Sequence, residues 1–182
     1  MTIPNFITLI RPLTLPVLIM LVGYQRYVAA LGTFLFAVVS DILDGILARA
    51  LRQKSTLGSI TDPIADKLLL SASFLTLGIK GLIPLWVMFL VLARDSVILT
   101  GLLFMLFTYK GLDISPSLIG KVTTWAQASL VVMTLLGEGV VKIPFLIGLA
   151  LWVAVATTIL SGCFYIYIGW KVYQGSGEGT RF

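Results

Sequence analysis

Long apolar runs separated by short polar or glycine- and proline-containing breaks set the first picture of this chain. A helix needs about 20 predominantly apolar residues to cross roughly 30 Å of hydrocarbon. Stretches of that kind run over about 6–24, 28–49, 60–79, 84–108, 117–137 and 143–170. The breaks between them, "GYQRY" (23–27), "RQKSTLG" (52–58), "KGLIP" (80–84), "KGLDISPS" (110–117) and "GEGVVKIP" (137–144), combine glycine, proline and charge as loops do. No repeat of fixed period and no Ser/Pro-rich linker divides the chain. The pattern therefore predicts an all-α integral membrane fold, a single bundle of six transmembrane helices over residues 1–173. The tail, residues 174–182 ending in "GSGEGTRF", is expected to be disordered.

Composition agrees with this picture. Of the 182 residues, 58% are hydrophobic and 12% charged, far from the balance of a soluble domain. No basic residue precedes Arg11 and no small-residue cleavage site follows the first apolar run, so that run is expected to stay in the mature protein. Tryptophans and tyrosines fall mostly near the proposed span ends, where an interfacial belt accounts for them.

The net charge of +5 does not point to nucleic acid, because the basic residues are scattered at helix ends rather than grouped. Membrane topology explains them better. With six spans, Arg11, Arg49, Arg52, Lys54, Lys110, Lys121, Lys171 and Arg181 fall on one side, and Arg26, Lys80 and Lys142 on the other. The positive-inside rule then places both termini in the cytoplasm.

Available chemistry is narrow. There is no histidine, and the single cysteine, Cys163, excludes an intrachain disulfide. Against this background residues 41–66, "DILDGILARALRQKSTLGSITDPIAD", carry four of the chain's eight acidic residues into apolar segments. Asp41, Asp44, Gly45 and Ala48 fall within about 100° on one helical face. Asp62 and Asp66 are i, i+4 neighbours with Gly58 one turn earlier.

Each acid near the centre of a membrane helix costs about 2.5–3.5 kcal/mol, so four unpaired ones cost on the order of 10 kcal/mol. Two divalent cations offset that cost, and oxygen-only ligands suit Mg2+ or Mn2+. Two such ions clamp a phosphoryl group during displacement. Gly45, Ala48 and Gly58 let a ligand approach the backbone. Ordinary structural explanations exist for single members: Asp62 followed by Pro63 matches a helix start, and Asp41 or Asp44 can pair with Arg49. An ion or proton pathway is the alternative from another class, but it calls for acids spread along a route, not gathered in one block with glycines at fixed spacing.

The full spacing, DxxDGxxAR, eight residues, GxxxDxxxD, resembles without mismatch the signature of the CDP-alcohol phosphatidyltransferase family. The resemblance implies that Asp41, Asp44, Asp62 and Asp66 hold two divalent metals and that Asp66 is also the general base. It implies that Gly45, Ala48, Arg49 and Gly58 line the site for the cytidine diphosphate portion of the donor CDP-diacylglycerol. A glycerol-type alcohol is the implied acceptor, CMP the leaving group, membrane lipids the surroundings and a homodimer the assembly. The active site is expected to face the cytoplasm.

Weaker stretches bear on the acceptor. "IPNFITLIRPLTLP" resembles the opening of the glycerophospholipid branch at Asn5, Thr8 and Arg11, although an interfacial helix explains it too. Arg94 and Asp95 stand near the middle of the fourth span, where a buried phosphate or an internal pairing with an aspartate is the natural partner for Arg94. Lys121, in "IGKVTTWAQ", suits an acceptor phosphate or anionic headgroups equally. The phosphatidylglycerophosphate synthases of the branch usually show a lysine where Thr123 stands, Arg-Glu in place of Arg94-Asp95, and an arginine where Leu103 stands. These departures lean toward cardiolipin synthases, whose acceptor is phosphatidylglycerol, with glycerol 3-phosphate as the alternative.

Overall fold

The computed structural model describes the backbone over residues 14–50, 58–108 and 118–175, and side chains over 14–40, 42, 67–101, 118–168 and 170. Within these residues the chain is all-helical: α1 (Thr14–Gly23), α2 (Tyr27–Ala50), α3 (Gly58–Ile79), α4 (Leu85–Thr108), α5 (Leu118–Gly139) and α6 (Pro144–Gly175). The observed helices coincide closely with the apolar runs. Asn5, Thr8 and Arg11 lie outside the described residues. Helix α6 continues through Gly175, and residues 176–182 of the expected tail are likewise outside them.

The competing account of Asp62 as a helix start does not hold. Helix α3 begins at Gly58, so Asp62 is not its N-cap and Pro63 is not its first residue. Pro63 lies inside the second turn, where it cannot donate to the carbonyl of Ser59.

Among the described residues two helices, Leu118–Gly139 and Pro144–Ile168, are long and apolar enough to cross a membrane. The outward faces are rich in large apolar side chains, among them Leu35, Phe36, Phe89, Trp125, Trp152 and Ile166. The inward faces hold the core of Leu18, Val22, Phe34, Phe74, Leu77, Val87, Val91, Leu130 and Leu135. Helix α5 touches α2, α3 and α6, while α4 packs on α3 and α6.

Contacts fix which helix ends lie together. Lys80 Nζ donates to the Gly23 carbonyl at 3.0 Å, joining the ends of α3 and α1. Gly139 at the end of α5 approaches the start of α2 so closely that an added Cβ would sit 3.0 Å from the Val28 amide nitrogen. Gly78 packs against Met88, and the Trp86 and Trp152 rings are 6.2 Å apart. Turns 24–26, 80–84 and 140–143 thus gather at one end of the bundle. Helices that close there bring the C-terminal part of α2 and the N-terminal parts of α3 and α5 to the opposite end.

Candidate functional site

Two rows of buried positions lead to that opposite end. On α2, Ala30, Phe34 and Ala37 are buried, and the same alternation of four- and three-residue steps continues through Asp41, Asp44 and Ala48. On α3, Leu77, Ser73 and Leu70 are buried, and four-residue steps back from Leu70 reach Asp66, Asp62 and Gly58. All four signature acids, with Ala48 and Gly58, therefore occupy the register of the core rows, at the ends of two consecutive helices. Gly45 and Arg49 follow Asp44 and Ala48 on the last turns of α2. The side chains of these residues lie outside those described.

Donor chemistry and register together fit a pair of hard cations. Four carboxylates whose helical spacing continues the buried rows, in a chain without histidine, are the oxygen donors that a hard cation takes. Among the described side chains no cluster of three carboxylate, imidazole or thiol groups occurs elsewhere.

The remaining candidates are seen directly. Arg94 is 8% exposed and Asp95 7%, which puts an ion pair inside the bundle. Arg94 Nη1 donates to Asp95 Oδ1 at 2.6 Å, and its Nη2 donates to Ser161 Oγ of α6 at 2.6 Å. Ser71 Oγ of α3 donates to Asp95 Oδ2 at 3.4 Å. The guanidinium carbon stands 5.9 Å from the ring centre of Tyr165, at the outer limit of cation–π attraction. Of the two accounts of Arg94, the structure gives it an internal aspartate partner, its own chain neighbour. Its Nε is a buried donor with no partner among the described residues. Lys67, half-buried and next in sequence to Asp66, lies within electrostatic reach of both Asp95 and Arg94.

Lys121 is exposed on the first turns of α5, at the acid-bearing end. Thr123 is fully buried, and its hydroxyl lies 2.9 Å from the Ile119 carbonyl and 3.1 Å from that of Thr157 on α6. Gln127 Nε2 donates to Thr158 Oγ1 at 3.1 Å. Sequence reasoning missed Lys67, Ser71, Thr158, Ser161 and Tyr165 as members of this polar interior. The available signal was small hydroxyl residues recurring within apolar runs, where neighbouring helices use them as hydrogen-bonding contacts.

Comparison with known proteins places these features in a family. The family profile for CDP-alcohol phosphatidyltransferase matches residues 1–160. The chain is 33% identical to the CDP-diacylglycerol–glycerol-3-phosphate 3-phosphatidyltransferase of Bacillus subtilis (strain 168), over 96% of this chain and 98% of the relative. It is 34% identical to the protein of the same name from Aquifex aeolicus (strain VF5), over 79% of this chain and 78% of the relative. Identity to the CMP-forming cardiolipin synthase of Rattus norvegicus is 31%, over 95% of this chain but 63% of the relative.

Proposed function

Because this chain belongs to the CDP-alcohol phosphatidyltransferase family, we propose that it transfers the phosphatidyl group of CDP-diacylglycerol to a glycerol-type alcohol at the acid-bearing end of α2 and α3. CDP-alcohol phosphatidyltransferase activity is the family property; the site, the acceptor and the topology are our reading. The observation that carries it is the eight-position signature, whose acids continue the spacing of two buried rows.

In this reading Asp41, Asp44, Asp62 and Asp66 hold two Mg2+ or Mn2+ ions. The ions supply positive charge to the diphosphate of the donor and to the departing phosphate. Arg49 adds a fixed cation, while Gly45, Ala48 and Gly58 leave room for the cytidine diphosphate. Asp66 takes the proton from the acceptor hydroxyl. The acceptor oxygen forms a bond to the lipid-linked phosphorus as the bond from that phosphorus to CMP breaks. Lys121 is the cation assigned to an acceptor phosphate, and Asn5 and Thr8 are assigned to substrate binding.

In this reading the chain crosses the membrane six times, which the apolar outer faces support. Trp152 and Trp170 on α6 are both exposed and about 27 Å apart along the axis at 1.5 Å per residue, close to the hydrocarbon thickness. We assign the site and both termini to the cytoplasmic side, because in the six-span reading more of the sequence's basic residues fall on that side. A homodimer is the proposed assembly. The family assignment replaces the ion-pathway alternative.

Asp95, Thr123 and Leu103 favour phosphatidylglycerol as acceptor, making a cardiolipin synthase. The near full-length correspondence with the Bacillus subtilis relative favours glycerol 3-phosphate instead. A panel of glycerol 3-phosphate, phosphatidylglycerol, inositol phosphate and serine, offered with CDP-diacylglycerol and metal to the detergent-purified protein, separates them by CMP release and lipid product. Phosphatidylglycerol is expected to react best; reaction with glycerol 3-phosphate alone overturns that choice.

A further inference from the structure

We infer that Asp95 and Arg94 form a positioning clamp that ties α3 to α4 and α6 below the acids, setting where α3 presents Asp66. The inference rests on the function proposed above. Its geometry is the chain of contacts Ser71–Asp95–Arg94–Ser161, which crosses three helices with two contacts of 2.6 Å and one of 3.4 Å.

Depth along α3 makes the clamp relevant to the reaction. Ser71 is five residues beyond Asp66, about 7.5 Å of helix rise. The α3 helix lies between α4 and α5, so an anchor on Ser71 fixes both its height and its rotation next to the site. Packing alone holds rotation weakly where neighbours are smooth apolar side chains. A charged pair buried in the bundle is different: Asp95 must keep its donors or become an unpaired charge in an apolar surrounding.

The two oxygens of Asp95 divide the task. Oδ1 takes the Arg94 donor from its own helix, and Oδ2 takes the hydroxyl of α3. Arg94 spends Nη1 on Asp95 and Nη2 on Ser161, so its planar fork joins α4 to α6 with fixed direction. Arg94 has its terminal nitrogens engaged inside the protein. The clamp thus assigns Arg94 a role through Asp95 and α3, in place of direct contact with an acceptor.

Kinetics distinguish the two roles. Small misplacements of a catalytic group lower turnover, by up to about 100-fold per ångström, whereas removing a substrate contact that acts equally in the ground state raises KM. Ser161→Ala and Ser71→Ala each cut one end of the clamp without touching Asp95 or Arg94. We expect each to lower kcat about tenfold and to raise the metal concentration for half-maximal rate. KM for donor and acceptor should stay within about twofold. Ser161→Thr, which keeps the hydroxyl, should recover most of the lost kcat. A rise in acceptor KM larger than the fall in kcat overturns the clamp and makes Arg94 a substrate ligand. Unchanged kinetics in both alanine variants also overturns it, as does loss of the folded peak in detergent for both, which reduces the contacts to fold maintenance. Failure of the underlying function is separately visible, because the unaltered protein would then release no CMP with any acceptor.

Discussion

The two ends of this bundle are built on opposite terms. At the end where turns 24–26, 80–84 and 140–143 meet, the chain closes on itself: Lys80 caps the Gly23 carbonyl, Gly139 admits the backbone of α2, and Trp86 leans on Trp152. At the other end α2 and α3 carry the four signature carboxylates in the register of the buried rows, and the proposed cations would answer their charge. The closed end illustrates how a helix bundle secures its packing; the acid-bearing end illustrates how much unfavourable charge a functional site retains. The Arg94–Asp95 pair lies between these extremes, buried but almost fully partnered.

Substitutions at the two ends should therefore separate rate from stability. The largest effect is expected from Asp66→Asn, which would remove the proposed metal ligand and the proposed proton acceptor together. CMP release should fall by at least about 1,000-fold while the detergent-solubilised protein keeps its elution position and helical circular dichroism. Full turnover in that variant would remove Asp66 as base.

Next in size is the metal requirement. Chelation with EDTA should abolish CMP release, and added Mg2+ or Mn2+ should restore it. Asp41→Asn should raise the metal concentration for half-maximal rate by about 10–100-fold. Activity that survives exhaustive chelation would contradict the charge argument for the acid-bearing end.

The closed end should answer in stability instead. Gly139→Leu forces a side chain toward the Val28 amide and the Tyr27 Cβ, each about 3 Å from the first added carbon, and overpacking of this kind costs about 1–3 kcal/mol. Thermal unfolding in detergent should report it as a lower Tm, with KM for both substrates unchanged. Smallest of all is Lys80→Ala, which loses one exposed hydrogen bond and should shift Tm by about 2 °C or less. A large rate loss from either variant would erase the division between the ends.

Much of the fold was legible because helix length and apolarity are local properties. Runs near 20 residues long, broken by glycine, proline and charge, marked five of the helices to within a few residues. Asp62-Pro63 was ambiguous: such a pair can open a helix, yet α3 begins one turn earlier at Gly58, close to the start of the apolar run. Spacing also exposed the acids, since one residue type at fixed intervals in an apolar run is readable without any partner.

Partners across helices are another matter. Arg94 had several acceptable answers, and its choice of Asp95 and Ser161 depended on which helices lay beside α4. Ser71 and Ser161, 90 positions apart in the chain, gave no local sign that they end one polar chain. The sequence by itself determined the apolar runs, the four acids and their periodic placement, because each follows from residue type and helical geometry alone. The tertiary structure alone decided which ends come together and which buried charges meet, because those depend on packing between segments that no local period encodes.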